Sequence, residues 1–276
     1  MSKGLVSVII TTKNEGKVIE RLLESITAQT YKRIEIIVVD NHSQDNTARI
    51  AKKYTKAVYQ RGPERSVQRN FGAKKANGEY VLFLDADMQL ENNVIAECVK
   101  VFKSKPTIGA VSIPEISIAT TFWERVKAHE RSFYNLEGDS TTDAERFFSK
   151  ASFDAVGGYD ETITGPEDWD LPERIKKSGF KKARIKSSIK HFERVPSPFA
   201  LAKKKYYYAL TSHRYLKKHN ISAISPKTIY FLRPVFYKNW RMIIAKPVLS
   251  LCMFIMFTFE LVGGGFGFIV GKFQNL

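Results

Sequence analysis

The chain has 276 residues, of which 43% are hydrophobic and 26% charged, with a net charge of +16. The first two figures are ordinary for a globular protein and exclude a disordered or fibrous chain. The length allows one large domain, or one domain with an appendage.

The charge is unevenly spread. Residues 1–171 carry 23 Lys+Arg and 25 Asp+Glu, whereas residues 172–246 carry 20 and two, the two being Glu173 and Glu193. Residues 247–276 carry one of each, Lys272 and Glu260. A near-neutral front, a basic segment and an apolar tail imply an anionic partner surface, either nucleic acid or membrane. Cys98 and Cys252 have no metal-ligand spacing and form no disulfide framework, which fits a reducing compartment. The apolar run Val6–Ile10 is too short for the core of a signal peptide.

Leu5–Thr11 reads as a buried strand, and Lys17–Gln29 as a helix with Val18, Leu22 and Ile26 on one stripe. Ile34–Asp40 is a second buried strand, followed by a polar turn over residues 41–47 that ends in helix-capping residues. A short strand is expected over Ala57–Tyr59, a helix over Ser66–Ala76 and a buried strand over Tyr80–Leu84. A helix over Asn92–Lys103 and a strand over Ile108–Ile113 continue the alternation, which implies parallel βαβ units. A helix is expected around Phe122–Tyr134, a flexible loop over residues 138–144 and a strand over Ala183–Ile189.

The strand Tyr80–Leu84 runs into Asp85-Ala86-Asp87. Carboxylates at the carboxyl end of a strand lie where an open α/β sheet places ligand chemistry. Two hard oxygen donors there suit Mg²⁺ or Mn²⁺, which would hold an anionic substrate such as a diphosphate. Asp40, at another strand end, is placed to hydrogen-bond a base or ribose; an Asx-turn acceptor is the plainer alternative. Thr11, Lys13, Asn14 and Glu15 open a helix whose backbone N–H groups are candidates to face a diphosphate. Arg65, Arg69 and Asn70 share one helix, and arginine forks suit phosphate. Glu167-Asp168 marks a helix start, where a carboxylate can take a proton from an acceptor hydroxyl. Trp169 offers a face on which a sugar ring can stack, and His191 is a candidate third metal ligand beside Asp87.

The 25 residues between Lys246 and Lys272 contain one charge, Glu260. They are long enough to span a bilayer. Glu260 and Gly263-Gly264-Gly265 weigh against a simple span, while the spacing of Gly263, Gly267 and Gly271 favours close helix packing. A single span is expected, with an interfacial or re-entrant segment and a buried soluble helix as alternatives. The basic flank faces the cytoplasm in either membrane case.

Taken in order, Val6–Glu15, then Val38-Val39-Asp40 with Ser43, Asp45 and Thr47, then Arg69-Asn70-x-Gly72, then Leu84-Asp85-Ala86-Asp87, then Glu167-Asp168 closely resemble family 2 glycosyltransferases of the GT-A fold. The resemblance covers roughly residues 5–195. It implies an α/β fold: a Rossmann-like, mostly parallel sheet flanked by helices. Here a basic C-terminal helical segment and an apolar tail would follow.

The expected boundaries are 1–195 for the catalytic domain, with a nucleotide-binding half over about 1–112 and an acceptor half over about 113–195. The basic segment at the membrane surface would cover 196–246, and the apolar segment 247–271. The resemblance further implies transfer from a nucleotide-diphosphate sugar with inversion. Thr11, Asn14, Glu15 and Asp40 would line the nucleotide pocket. Asp85 would contact ribose or metal, Asp87 would bind the metal, and His191 would complete the metal site. Asp168 would be the general base, with Glu167 supporting the acceptor. Uridine is the family's commonest donor base, so a UDP-sugar is the prior expectation for the donor.

The chain lacks the Gln-x-x-Arg-Trp motif of processive synthases, which implies transfer of one sugar. Lys203-Lys204-Lys205, Tyr206-Tyr207-Tyr208 and the apolar tail resemble members working at a membrane face on lipid-linked acceptors. A polyprenyl phosphate acceptor is the alternative within the class. From a different class, the basic segment with interleaved tyrosines allows a nucleic-acid-binding protein; the apolar tail argues for lipid instead.

Overall fold

The computed structural model describes residues 2–135, 138 and 144–274. The loop expected over 138–144 falls, apart from its two end residues, outside the described residues. In chain order the first elements are β1 (Ser2–Thr12), α1 (Ile19–Thr27), β2 (Ile34–Asp40), α2 (Thr47–Ala51) and β3 (Val58–Gln60). Next come α3 (Arg65–Lys75), β4 (Gly78–Asp85), β5 (Met88–Leu90), α4 (Val94–Ser104), β6 (Ile108–Ser112) and β7 (Glu115–Ile118). Then follow α5 (Phe122–Ser132), β8 (Glu145–Ser149), α6 (Lys150–Ala155), α7 (Glu167–Lys177), β9 (Lys181–Arg184) and β10 (Ile189–Phe192). The last helices are α8 (Pro198–Ala209), α9 (Ser212–Lys218), α10 (Pro234–Lys238), α11 (Trp240–Ala245) and α12 (Pro247–Phe273).

The chain forms two compact units. The first holds residues 2–115, 144–161 and 167–191, and the second holds the described residues of 116–143, 162–166 and 192–274.

The first unit is built on a seven-stranded sheet of order β3-β2-β1-β4-β8-β6-β9. β1 runs parallel to both β2 and β4, while β8 is antiparallel to both of its neighbours. β1, β2 and β4 are apolar because helices cover both faces. Val8, Ile10, Leu82 and Leu84 pack on one side, and Ile9, Val81 and Phe83 on the other. Gly72 lets α3 approach β1, since a Cβ there would meet Ile9 at 2.5 Å. The register sets Thr12 beside Asp40 and Thr11 beside Asp85. Three strand ends thus form one edge, and everything that positions the site starts from it.

The strand expected over Ala183–Ile189 is instead two strands, β9 and β10, joined by a turn. Glu97 accepts the N–H groups of Lys186 and Ser187, and Glu91 accepts that of Ser188, which fixes the turn. The apolar alternation spans both strands, and the side chains that break it come from distant positions.

In the second unit, α12 is long and apolar enough to cross a membrane by length and composition. It packs against α8 and α5. A Cβ at Gly263, Gly267 or Gly271 would collide with the carbonyl oxygens of Ala202, Tyr206 and Leu210 in turn. The small-residue spacing therefore serves contact within this chain. The basic stretch 196–246 is several short helices with a 3-10 turn at Tyr230–Leu232.

Candidate active site

Asp40 is fully buried at the end of β2. Its Oδ1 accepts from the hydroxyls of Thr12 (2.8 Å) and Ser43 (2.5 Å), and its Oδ2 from the Ser43 N–H (2.9 Å). The polar turn after it folds back onto the β1–α1 loop. The N–H of Asn14 donates to Ser43 Oγ, that of Glu15 to Thr47 Oγ1 and that of Gly16 to Asp45 Oδ2. Asn14 sits at φ 57°, and its side-chain oxygen accepts from the Gln44 N–H. These N–H groups, expected to face a diphosphate, are thus taken by side chains of the neighbouring turn. The reason is the β1–β2 register, which sets the two loops side by side so that Ser43, Asp45 and Thr47 meet these N–H groups. Thr11 is buried, Glu15 half-buried and Lys13 exposed at the same edge.

α3 delivers Arg69, which is fully buried. Its guanidinium lies 2.6 Å from Asp168 Oδ1, 3.3 Å from Asp85 Oδ1 and 3.7 Å from Glu167 Oε1, with its carbon 5.1 Å from the centre of the Tyr159 ring. Arg65, one turn earlier and partly exposed, reaches Glu167 at 3.4 Å. Asn70 turns the other way. Its amide pairs with the backbone of Tyr159 in both directions (2.9 Å each) and donates to Glu161. In this structure Asn70 pins the loop after α6.

Asp85 lies between two arginines. Oδ2 is 3.3 Å from Arg146, on β8, while Oδ1 faces Arg69. Burial works against its charge, but Arg146, Arg69, Arg65 and His191 outweigh it and hold its pKa well below the carboxylate range. Arg146 also donates from Nε to Glu115 (2.7 Å), and the other oxygen of Glu115 faces His191 Nδ1 at 3.0 Å. His191 is opposite Met88 in the antiparallel β5–β10 pair, which sets its Nε2 3.6 Å from Asp87 Oδ1. A connected series of charges therefore runs from Asp168 through Arg69, Asp85, Arg146, Glu115 and His191 to Asp87.

Glu167 and Asp168 open α7, where acidic groups complement the helix dipole. Glu167 is buried, and burial together with the Asp168 charge raises its pKa against the pull of Arg65 and Arg69. Asp168 keeps about a quarter of its side chain exposed, at 24%. Trp169 is half-buried. Asp170 and Arg174 form a 2.7 Å pair, and Arg174 also donates to the carbonyls of Val156 and Gly158.

Among the described residues no group of three or more His, Cys, Asp or Glu is arranged to hold a metal ion. The nearest approach is Asp87 with His191, whose other ring nitrogen is oriented by a carboxylate, a common support for a metal-ligating imidazole. One carboxylate and one imidazole suit Mn²⁺, the remaining positions being left for substrate oxygens. Asp85, expected as a ligand, is held by arginines on both oxygens.

Sequence reasoning brought Asp85, Asp87, His191, Arg69 and Glu167-Asp168 to one place. It missed Arg146 and Glu115. An arginine next to the apolar pair Phe147-Phe148, on a strand too short to flag, was the one available signal.

The family model for glycosyl transferase family 2 matches residues 7–158. The model for the N-terminal domain of galactosyltransferase matches residues 127–197. Poly(ribitol-phosphate) beta-N-acetylglucosaminyltransferase TarP of Staphylococcus aureus is 38% identical over 101 residues, which are 33% of this chain and 31% of that protein. The 4,4'-diaponeurosporenoate glycosyltransferase of Staphylococcus haemolyticus is 27% identical over 177 residues, 61% of this chain and 46% of that one. The chain spans about a third of the length of the first curated relatives it matches. Among solved structures, mannosyltransferase PcManGT from Pyrobaculum calidifontis, in complex with GDP-Man and Mn²⁺, superposes with TM-score 0.59 at 18% identity. That match covers 98% of this chain and 86% of the other. S. aureus TarS in complex with UDP-GlcNAc gives TM-score 0.55 at 18% identity, with 98% and 92% covered. These superpositions show a shared GT-A fold.

Proposed function

The chain belongs to glycosyl transferase family 2, and on that premise we propose that it is an inverting glycosyltransferase. It moves one sugar from a nucleotide-diphosphate donor to a hydroxyl of a lipid-linked glycan or cell-surface polysaccharide precursor. The observation that carries this reading is Arg69, which joins Asp168 (2.6 Å) to Asp85 (3.3 Å). A partly exposed carboxylate at a helix start is thereby tied to the strand that ends in Asp85-Ala86-Asp87.

In the proposed step Asp168 accepts the acceptor hydroxyl's proton as its oxygen bonds to the anomeric carbon. The bond from that carbon to the donor diphosphate breaks, and the electron pair leaves with the nucleoside diphosphate. Asp87 and His191 would hold Mn²⁺ or Mg²⁺; when bound, such an ion neutralises charge on the leaving diphosphate. Arg65 and Arg69 supply fixed positive charge, and burial with the neighbouring Asp168 charge raises the pKa of Glu167. Thr11, Lys13, Asn14, Glu15 and Asp40 shape the donor pocket, and Trp169 faces the acceptor. GDP-Man and UDP-GlcNAc in the two structural neighbours support a nucleotide-sugar donor, and UDP-sugars are the first to try. The apolar α12 and the basic stretch before it support work at the cytoplasmic face of a membrane.

The test is Asp168→Asn, which keeps the contact to Arg69 but cannot take a proton. Donor binding, read as metal-dependent thermal stabilisation, is expected to persist, with transfer lost. Retained transfer would overturn the hydroxyl-acceptor mechanism in favour of a polyprenyl phosphate acceptor, which is already ionised.

A further inference from the structure

α12 is 27 residues long, or about 40 Å at the α-helical rise. Its two faces differ along the whole length. Ser250, Met253, Met256, Phe257, Glu260, Gly267 and Gly271 are buried against the protein. On the other side Val248, Leu251, Ile255, Phe259, Val262, Phe266, Ile269 and Phe273 are all exposed. Their spacing of three and four residues makes one unbroken apolar stripe from end to end. Tyr237, Trp240 and Ile244, just before the helix, are exposed as well. Within the second unit, residues 192–246 contain twelve Lys+Arg and one acidic residue, Glu193.

We propose that the second unit docks on an anionic lipid bilayer with α12 lying in the membrane plane, its outer stripe sunk among the acyl chains, and that α12 does not cross the membrane. This deepens the membrane-facing part of the proposed function and rests on it.

Three observations set lying flat against crossing. First, α8 runs alongside the C-terminal half of α12 in the same direction: Gly263 meets Ala202, Gly267 meets Tyr206 and Gly271 meets Leu210. A crossing α12 would carry α8, with exposed Lys203 and Lys204, into the hydrocarbon.

Second, Glu260 stands at the middle of α12 and pairs with Lys127 at 3.1 Å, and Lys127 also pairs with Glu130. Crossing would put that cluster at the bilayer centre, where ionisable groups are most costly.

Third, the apolar exposure is one-sided, as an interfacial helix requires. Exposed Lys238, Arg241 and Lys246, which stand with Tyr237 and Trp240 in the chain just before the helix, match an anionic headgroup layer. An apolar stripe preceded by an exposed basic flank selects an anionic lipid surface over a second copy of this equally basic chain.

The test uses the full chain bound to vesicles of mixed phosphatidylcholine and phosphatidylglycerol. In a Cys252→Ser background, Leu251→Cys, Phe259→Cys, Phe266→Cys and Phe273→Cys each carry a spin label, and depth is read from oxygen against nickel-chelate collision. Equal, shallow depth at all four sites is expected. A profile deepest at 259, with 251 and 273 in water, would overturn the in-plane geometry while leaving the membrane reading intact.

No vesicle binding at low salt would overturn both. Labels shielded in a dimer without lipid contact would assign the stripe to a second copy and also overturn the proposal. Ile255→Lys with Phe266→Lys is expected to weaken vesicle partition at least tenfold without lowering the melting temperature. Transfer to a water-soluble acceptor reports on the glycosyltransferase reading separately.

Discussion

Arg69 in the first unit and Lys127 in the second are both buried cations among carboxylates, but the clusters around them are closed differently. Around Lys127, Glu130 and Glu260 are buried, and Arg233 and Lys205 add positive charge. Glu130 accordingly keeps a lowered pKa although burial opposes its charge. Around Arg69, Asp85, Glu167 and Asp168 share its guanidinium, with Arg65 also on Glu167 and Arg146 also on Asp85, and the cluster keeps Asp168 partly open to solvent. Glu167 has a raised pKa, because burial and the Asp168 charge outweigh the pull of Arg65 and Arg69. Burying charge is therefore no mark of a site by itself. A charge cluster with one partly exposed carboxylate is the arrangement that chemistry can use, whereas a cluster whose carboxylates are all enclosed holds elements together.

The largest expected effect tests that division directly. Asp168→Asn should lower turnover by about 10²- to 10⁴-fold, the range of general-base catalysis, with little change in melting temperature. An equal loss of stability would make the Arg69 cluster structural after all. The converse is Lys127→Met, which strands two carboxylates and should cost about 3–5 kcal/mol in chemical denaturation. Activity per folded molecule should be unchanged.

A smaller effect is expected at the helix pair. Gly267→Ala forces a Cβ into the Tyr206 carbonyl and should cost about 1–3 kcal/mol. Gly264→Ala meets nothing within 4 Å and should stabilise by up to about 1 kcal/mol through helix propensity.

The smallest effects are in pH dependence, and they have opposite signs. Glu167's folded pKa is raised, so its contribution favours the fold at low pH and is lost as pH rises through that value. Glu167→Gln should therefore raise the melting temperature at neutral pH, with the gain shrinking toward pH 4. Glu130's folded pKa is lowered, so its contribution is present above the carboxylate range and lost on acidification. Glu130→Gln should be destabilising at neutral pH and converge on the parent as pH falls. Matching signs in the two melting curves would collapse the distinction between the clusters.

The strands carrying Asp40 and Asp85 were legible because burial on both faces leaves continuous apolar runs. Asp168 was legible because helix starts have their own residue signature. Arg146, Glu115 and the turn between β9 and β10 were not. Their pairing depends on β8 entering the sheet between β4 and β6, and on β10 returning to β5, choices that no local pattern encodes. The capture of the Asn14–Gly16 N–H groups by Ser43, Asp45 and Thr47 was hidden for the same reason. The motif residues were visible in sequence, but which of them would spend their hydrogen bonds on each other was not. For the glycines of α12, spacing announced a close helix contact, and only the fold gave α8 as the partner.

The position of β8 also bears on the order in which the molecule assembles. It sits between β4 and β6, yet the chain makes it after both. Until it arrives, β4 and β6 each keep an open edge with unpaired backbone groups, and closing that gap requires a long excursion of the chain. Arg146 arrives with β8, so Asp85 loses much of the charge that keeps it ionised in any species still missing that strand. Sheet assembly and site electrostatics are thus linked at β8, and the titration of a single carboxyl would register whether that strand has entered the sheet.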